Sequence, residues 1–245
     1  MDILLLTIAI IPVIVLMIYV YKKDKYEKEP IGMLVRAFML GILSIPIALA
    51  IDSFFASVML GETVFFQAFF QAGIPEEFAK WGLFMLFIWK NKNFDEFFDG
   101  IVYACFIGLG FACVENILYV FDNESYSLAI HTGVMRALLS VPGHFLFAVI
   151  MGYYLGLAKF KKNDRSKFLI FSILFPIIAH GLFDYLLMLS SAFSENNIEW
   201  LGVLLYVLFI YLDIKMWKIC LRHIEKLQEK SRIERNNDIF RKIFG

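Results

Sequence analysis

Gly73-Ile74-Pro75-Glu76-Glu77-Phe78-Ala79-Lys80-Trp81 puts two adjacent carboxylates and an ammonium in the middle of an apolar stretch, residues 65–89. One charged group at the centre of a bilayer costs about 2.5–3.5 kcal/mol on insertion scales. Ionisable side chains inside a spanning segment therefore mark a site, and each needs a partner. The partners are sought in later apolar stretches, which carry Glu115, His144, His180 and Asp184.

The surrounding composition sets the class. The chain has 245 residues, is 60% hydrophobic and has a mean hydropathy of +0.70, well above the roughly half-apolar content of soluble domains. The excess comes in blocks of about 20 residues, the length that crosses a hydrocarbon core of about 30 Å. The expected fold is an all-α, polytopic membrane helix bundle. About seven spans fit, at 3–21, 34–58, 65–89, 101–121, 134–157, 168–189 and 200–220. Lys22, Lys23, Lys25 and Lys28 fill the first loop, Lys90 and Lys92 the third, and Lys159, Lys161, Lys162, Arg165 and Lys167 the fifth. The loops near Gly61, Asn123 and Asn196 carry neither Lys nor Arg. The positive-inside rule then places the N-terminus outside and the C-terminus in the cytoplasm. Residues 1–220 form the expected membrane domain, and 221–245 a charged cytoplasmic helix. The first apolar run has no basic leader and no small-residue cleavage site, so it is expected to be a span. Cys105, Cys113 and Cys220 show no metal-site or disulfide spacing. Net charge is +0, and no nucleic-acid partner is expected.

Spacing within the spans indicates chemistry. Pro75 suits a first helical turn, where its missing N–H has no partner to lose, so residues 73–75 suggest a broken or restarted helix. Glu76 and Lys80 are i,i+4, and Glu77 and Lys80 are i,i+3; all three share a face. Lys80 can keep one carboxylate ionised while the other works on water. Glu115 lies in an apolar helix beside Asn116, which can bond across helices. Pro142 and Gly143 loosen the chain before His144. Arg136, near an outer end, is expected to snorkel to the interface. His180 and Asp184 are i,i+4, so a carboxylate can orient an imidazole or share a ligand with it. Counted along the oriented helices, these acids and imidazoles fall at one depth, between mid-bilayer and the outer leaflet. Two routes to hydrolysis are open at such a site. A glutamate can act as general base, or His and carboxylate ligands can hold a divalent ion such as zinc.

At these residues the sequence resembles the PrsW family of intramembrane proteases, within the wider group that includes the type II CAAX prenyl endopeptidases. The pattern EExxK, FxxxE, HxxxD reads here as Glu76-Glu77-Phe78-Ala79-Lys80, Phe111-Ala-Cys-Val-Glu115 and His180-Gly-Leu-Phe-Asp184. The resemblance implies hydrolysis of a peptide bond in a single-span membrane substrate, such as an anti-sigma factor, cut first on its extracytoplasmic side. It implies Glu76 as the base that activates water, Glu77 pairing with Lys80, and His180 with Asp184 positioning the water or stabilising the oxyanion. The CAAX branch has His where this chain has Glu115 and Asn where it has Asp184. The more acidic set favours a metal held by Glu115, His144 and His180, with a glutamate of the first motif as a further ligand.

Competing classes use similar residues. An ion- or proton-coupled transporter also needs mid-membrane acids and a broken helix, but it predicts a through-path and often an internal repeat. A retinal-type protein needs a mid-membrane lysine in its last span, and Lys215 lies near the inner end. A non-catalytic relative would keep the fold and lack activity.

Overall fold

A computed structural model describes residues 2–58 and 63–244. Its regular structure is helical throughout, with no strand among the described residues. The helices are α1 (Ile3–Lys23), α2 (Ile31–Val58), the single turn α3 (Val64–Phe66), α4 (Ile74–Phe87), α5 (Asp99–Phe121), α6 (Tyr126–Leu138), α7 (Ser140–Phe160), α8 (Arg165–Glu195) and α9 (Glu199–Phe244). Among the described residues, five stretches are long and apolar enough to cross a membrane: Ile3–Lys23, Ile31–Val58, Asp99–Phe121, Tyr126–Phe160 and Lys162–Glu195. The expected third span is instead built in pieces. The expected seventh lies in the first half of α9, which continues unbroken into its charged second half.

The pieces have a local cause. Thr63 caps α3 by accepting from the Phe66 N–H at 3.2 Å. The backbone then widens into a π-helical segment, Gln67–Gly73, before α4 begins. Pro75 sits in the first turn of α4, where its missing donor costs least. The helix expected to break at 73–75 thus stays right-handed and changes pitch. π segments of this kind gather at functional sites. The fifth expected span is interrupted at Leu139, where α6 ends and α7 starts. Pro142 cannot donate to the carbonyl one turn earlier, which leaves the helix weakest there.

α5 is the central helix, buried on nearly all sides over residues 99–112. Its approach to α2 and α7 depends on glycine. A Cβ at Gly41 would lie 2.0 Å from the Ile107 carbonyl oxygen, and one at Gly152 would lie 2.3 Å from that of Gly100. Without a hydrophobic drive between lipid-bathed helices, such close backbone contact is a main source of packing energy. These two crossings fix the heights of Glu115 on α5 and His144 on α7.

Candidate active site

Four helices deliver the polar cluster, and their carriers explain its geometry. Glu76 and Glu77 stand in the first turn of α4, directly after the π segment. One turn on, the Lys80 Nζ donates to Glu77 Oε1 at 2.8 Å and to Glu76 Oε2 at 3.1 Å. It also lies 3.3 Å from His144 Nδ1 and 3.9 Å above the Phe111 ring. Lys80 and Glu77 are only 3% and 1% exposed, so each depends on the other for its charge.

α8 reaches this cluster because two glycines meet. A Cβ at Gly73 would sit 3.1 Å from the Gly181 nitrogen, and one at Gly181 would sit 2.4 Å from the Phe69 ring. The neighbouring His180 is thereby placed with Nδ1 3.0 Å from Glu77 Oε1. Its Nε2 is 3.3 Å from Asp184 Oδ2 and 4.0 Å from Glu76 Oε2. The Phe147 ring stacks on the imidazole with centroids 4.6 Å apart.

His144 has the mirror arrangement. Its Nε2 is 2.8 Å from Glu115 Oε2, and its Nδ1 is 4.0 Å from the same Glu76 Oε2. Each imidazole thus has one nitrogen tied to a carboxylate, while the other lies 4.0 Å from Glu76 Oε2 and 3.3 Å from a nearer partner, Asp184 for His180 and Lys80 for His144. Ligand atoms of Glu76, Glu77, His144 and His180 all fall within 4.8 Å of one another. Glu115, expected among the metal ligands, bonds His144 Nε2 and Arg136, the latter at 2.7 Å.

Arg136 departs from its expected place. Its Nη2 bonds Glu115, its Nε donates to Asn116 Oδ1 at 2.9 Å, and its guanidinium lies over the Tyr119 ring at 4.1 Å. It does not snorkel, because two acceptors on α5 and an aromatic face stand within its reach. Sequence reasoning missed this residue. The available signal was the polar run Arg136, Ser140, His144 at four-residue spacing, one helical face across the break at Leu139. Asn116 also donates to the Ala9 carbonyl at 2.8 Å, tying the site to α1.

A cavity of about 220 Å³ opens onto Glu76, Glu115, His144, His180 and Asp184. Lys80 and Glu77 do not line it. The glutamate pair is thus split: Glu76 faces the cavity, and Glu77 backs it. A second groove, about 430 Å³, runs from Glu76 and Glu115 toward α2 and the π segment.

Comparison with known proteins gives the family. The profile of the PrsW family intramembrane metalloproteases matches residues 29–212. A protein named Protease PrsW from Clostridioides difficile is 36% identical over 233 residues, 93% of either chain. Namesakes from Oceanobacillus iheyensis and Bacillus subtilis are 39% and 38% identical, over 84% and 75% of this chain and 93% and 82% of their own. No solved structure matches.

Proposed function

Since this chain belongs to the PrsW family of intramembrane metalloproteases, we propose that the cluster around Glu76 cleaves a single-span membrane protein, of the anti-sigma-factor kind, on its extracytoplasmic side. The chain is a membrane-embedded protease of the bacterial cell membrane. The proposed topology has seven crossings, with the pieces α3, π segment and α4 as the third and the first half of α9 as the seventh. The lysine-free loops then lie outside and the charged end of α9 in the cytoplasm.

The observation that carries the reading is the pair of imidazoles, each held by a carboxylate and each turning its other nitrogen toward Glu76 Oε2 at 4.0 Å. Tetrahedral zinc bonds of about 2.0–2.1 Å hold donor atoms roughly 3.3 Å apart, so the rings and Glu76 would draw in slightly to share such an ion. Carboxylate-backed imidazoles are also the usual outer support of such ions. Glu76, His144 and His180 would hold the ion, with Glu77 and Glu115 orienting the two rings. Bound there, the ion would supply Lewis acidity toward a water and the peptide carbonyl. Lys80 would give up its contact with His144 Nδ1 and keep those to the two glutamates.

The remaining steps belong to the chain's own groups. Asp184 lines the cavity beside His180 and takes the proton from the attacking water. It passes that proton to the leaving amine as the peptide C–N bond breaks. Glu76, implied as the base by the family resemblance, acts here as a ligand instead, because its Oε2 lies 4.0 Å from one nitrogen of each ring. Phe147, stacked on His180, keeps bulk water from that ring.

Metal content and cleavage, measured on the same purified proteins in liposomes, separate these roles. Glu76→Gln and His180→Ala are expected to lose both. Asp184→Asn is expected to retain metal and lose cleavage by about 10²–10⁴-fold. Glu115→Gln is expected to weaken metal affinity about 10–100-fold. A metal-free wild type that cleaves at full rate would defeat this mechanism. Labelling of cysteines placed at Asn123, Asn196 and Lys161 tests the topology, with only the first two expected to react from outside.

A further inference from the structure

The 430 Å³ groove beside the site carries one carboxylate that the chemistry above does not use. Three acids line it: Glu76, Glu115 and Asp52. Glu76 bonds Lys80, which it shares with Glu77, and Glu115 bonds Arg136. Asp52, on α2, has no cationic partner among the described residues. Its Oδ1 is buried without a hydrogen bond, while the Gln71 side chain interacts with the carboxylate. No lysine, arginine or histidine lines the groove. An ionised carboxylate held in such apolar surroundings is costly until a cation meets it.

The groove is also suited to an unwound chain. A peptide bond inside a helix is shielded by its own turn, so cleavage at Glu76 requires an extended segment. An extended backbone in an apolar groove needs hydrogen-bond partners from the walls. Gln67 and Gln71, presented by the π segment, line the same wall as Asp52 and offer both donors and acceptors.

We infer that this groove takes the extended segment of the substrate beside the scissile bond, and that Asp52 selects a lysine or arginine side chain in it. The assignment rests on the protease reading of the Glu76 cluster. The occupant is set by charge complementarity: three carboxylates line the groove, and Asp52 is the one with no cationic side chain against it among the described residues.

The test is a set of single-span substrates in liposomes, with Lys, Gln or Glu scanned through positions flanking the cleavage site. For wild-type protein, kcat/KM at one position should favour Lys over Glu by about 10-fold or more. Asp52→Asn should bring that ratio near one, and Asp52→Lys should invert it. A ratio unchanged in both variants, with cleavage still dependent on Glu76, overturns the assignment. A second measurement uses the Glu76→Gln protein and photo-crosslinking peptides carrying Lys or Glu at the same position. Preferential capture of the Lys peptide that disappears with Asp52→Asn supports the groove even where no substrate is cleaved, an outcome that would sink the protease reading alone. Equal capture of both peptides overturns the groove.

Discussion

At the scale of single residues, the glutamate pair shows how neighbours in sequence take different roles. Glu77 is 1% exposed and serves two partners, Lys80 and His180. Glu76 faces the cavity and shares Lys80 with it. Removing one member of a buried ion pair strands the other charge, at a cost of about 3–5 kcal/mol. Glu77→Gln is therefore expected to lower stability by that order, and Glu76→Gln by clearly less. Unfolding of detergent-solubilised variants, followed by helical circular dichroism, checks the ranking; equal losses would refute it. The residue types of the site were legible in the sequence, because ionisable groups in apolar helices are rare enough to be noticed singly. Their pairing was not. Whether Arg136 reaches lipid or Glu115, and which carboxylate each imidazole meets, depends on helix rotation, which a one-dimensional pattern does not contain.

At the scale of elements, the close crossing of α5 and α7 is the frame that holds Glu115 against His144. The crossing is made by backbone on backbone at Gly100, Gly152 and Gly156. Gly152→Val puts side-chain carbon where the Gly100 carbonyl stands, and the helices must separate. Overpacking of this sort costs about 1–3 kcal/mol, and the shift is transmitted to His144, two turns along α7. Cleavage should fall at least about 10²-fold, since displacements of 1 Å have that effect on catalytic geometry. Gly82→Ala, with nothing within 4 Å of the added carbon, is the control and should keep activity. Gly82→Ala losing as much as Gly152→Val would show that the crossing is not special. Apolar blocks mark the long helices well, because length and hydropathy are local properties. The π segment and the break at Leu139 were visible only as Pro75 and Pro142. Proline marks where a helix yields, but neighbouring packing decides whether it breaks, kinks or widens. At Gly73 the widened backbone packs closely against Gly181.

At the scale of the whole molecule, the end opposite the site is closed by an acidic knot joining distant parts of the chain. The Glu29 N–H donates to Asp24 Oδ2 at 3.1 Å, and Asp99 Oδ2 accepts from the N–H groups of Asp95 and Glu96. Tyr103 donates to Glu29, and Ser231 of α9 accepts from the Phe98 N–H at 3.1 Å. The knot thus ties the α1–α2 linker to the start of α5 and to the charged half of α9. Asp24, Glu29 and Glu96 are all perturbed upward. Burial pushes Asp24 up from 3.8 to about 6 and Glu96 up from 4.5 to about 7. Burial, reinforced by the nearby Asp99, pushes Glu29 up to about 10. In each case the folded protein holds protons that the unfolded chain releases near pH 4, so stability falls as pH rises through the folded values. The melting temperature is expected to decline from pH 5 to pH 8, through the range set by Asp24 and Glu96. Glu96→Gln should flatten that decline, because the amide has no proton to lose. Glu29→Gln, which removes the carboxyl facing Asp99, should raise the melting temperature at pH 8. A wild-type melting temperature that is level or rising from pH 5 to pH 8 would mean these acids are ionised in the folded state, and that the knot is held by cations rather than by shared protons.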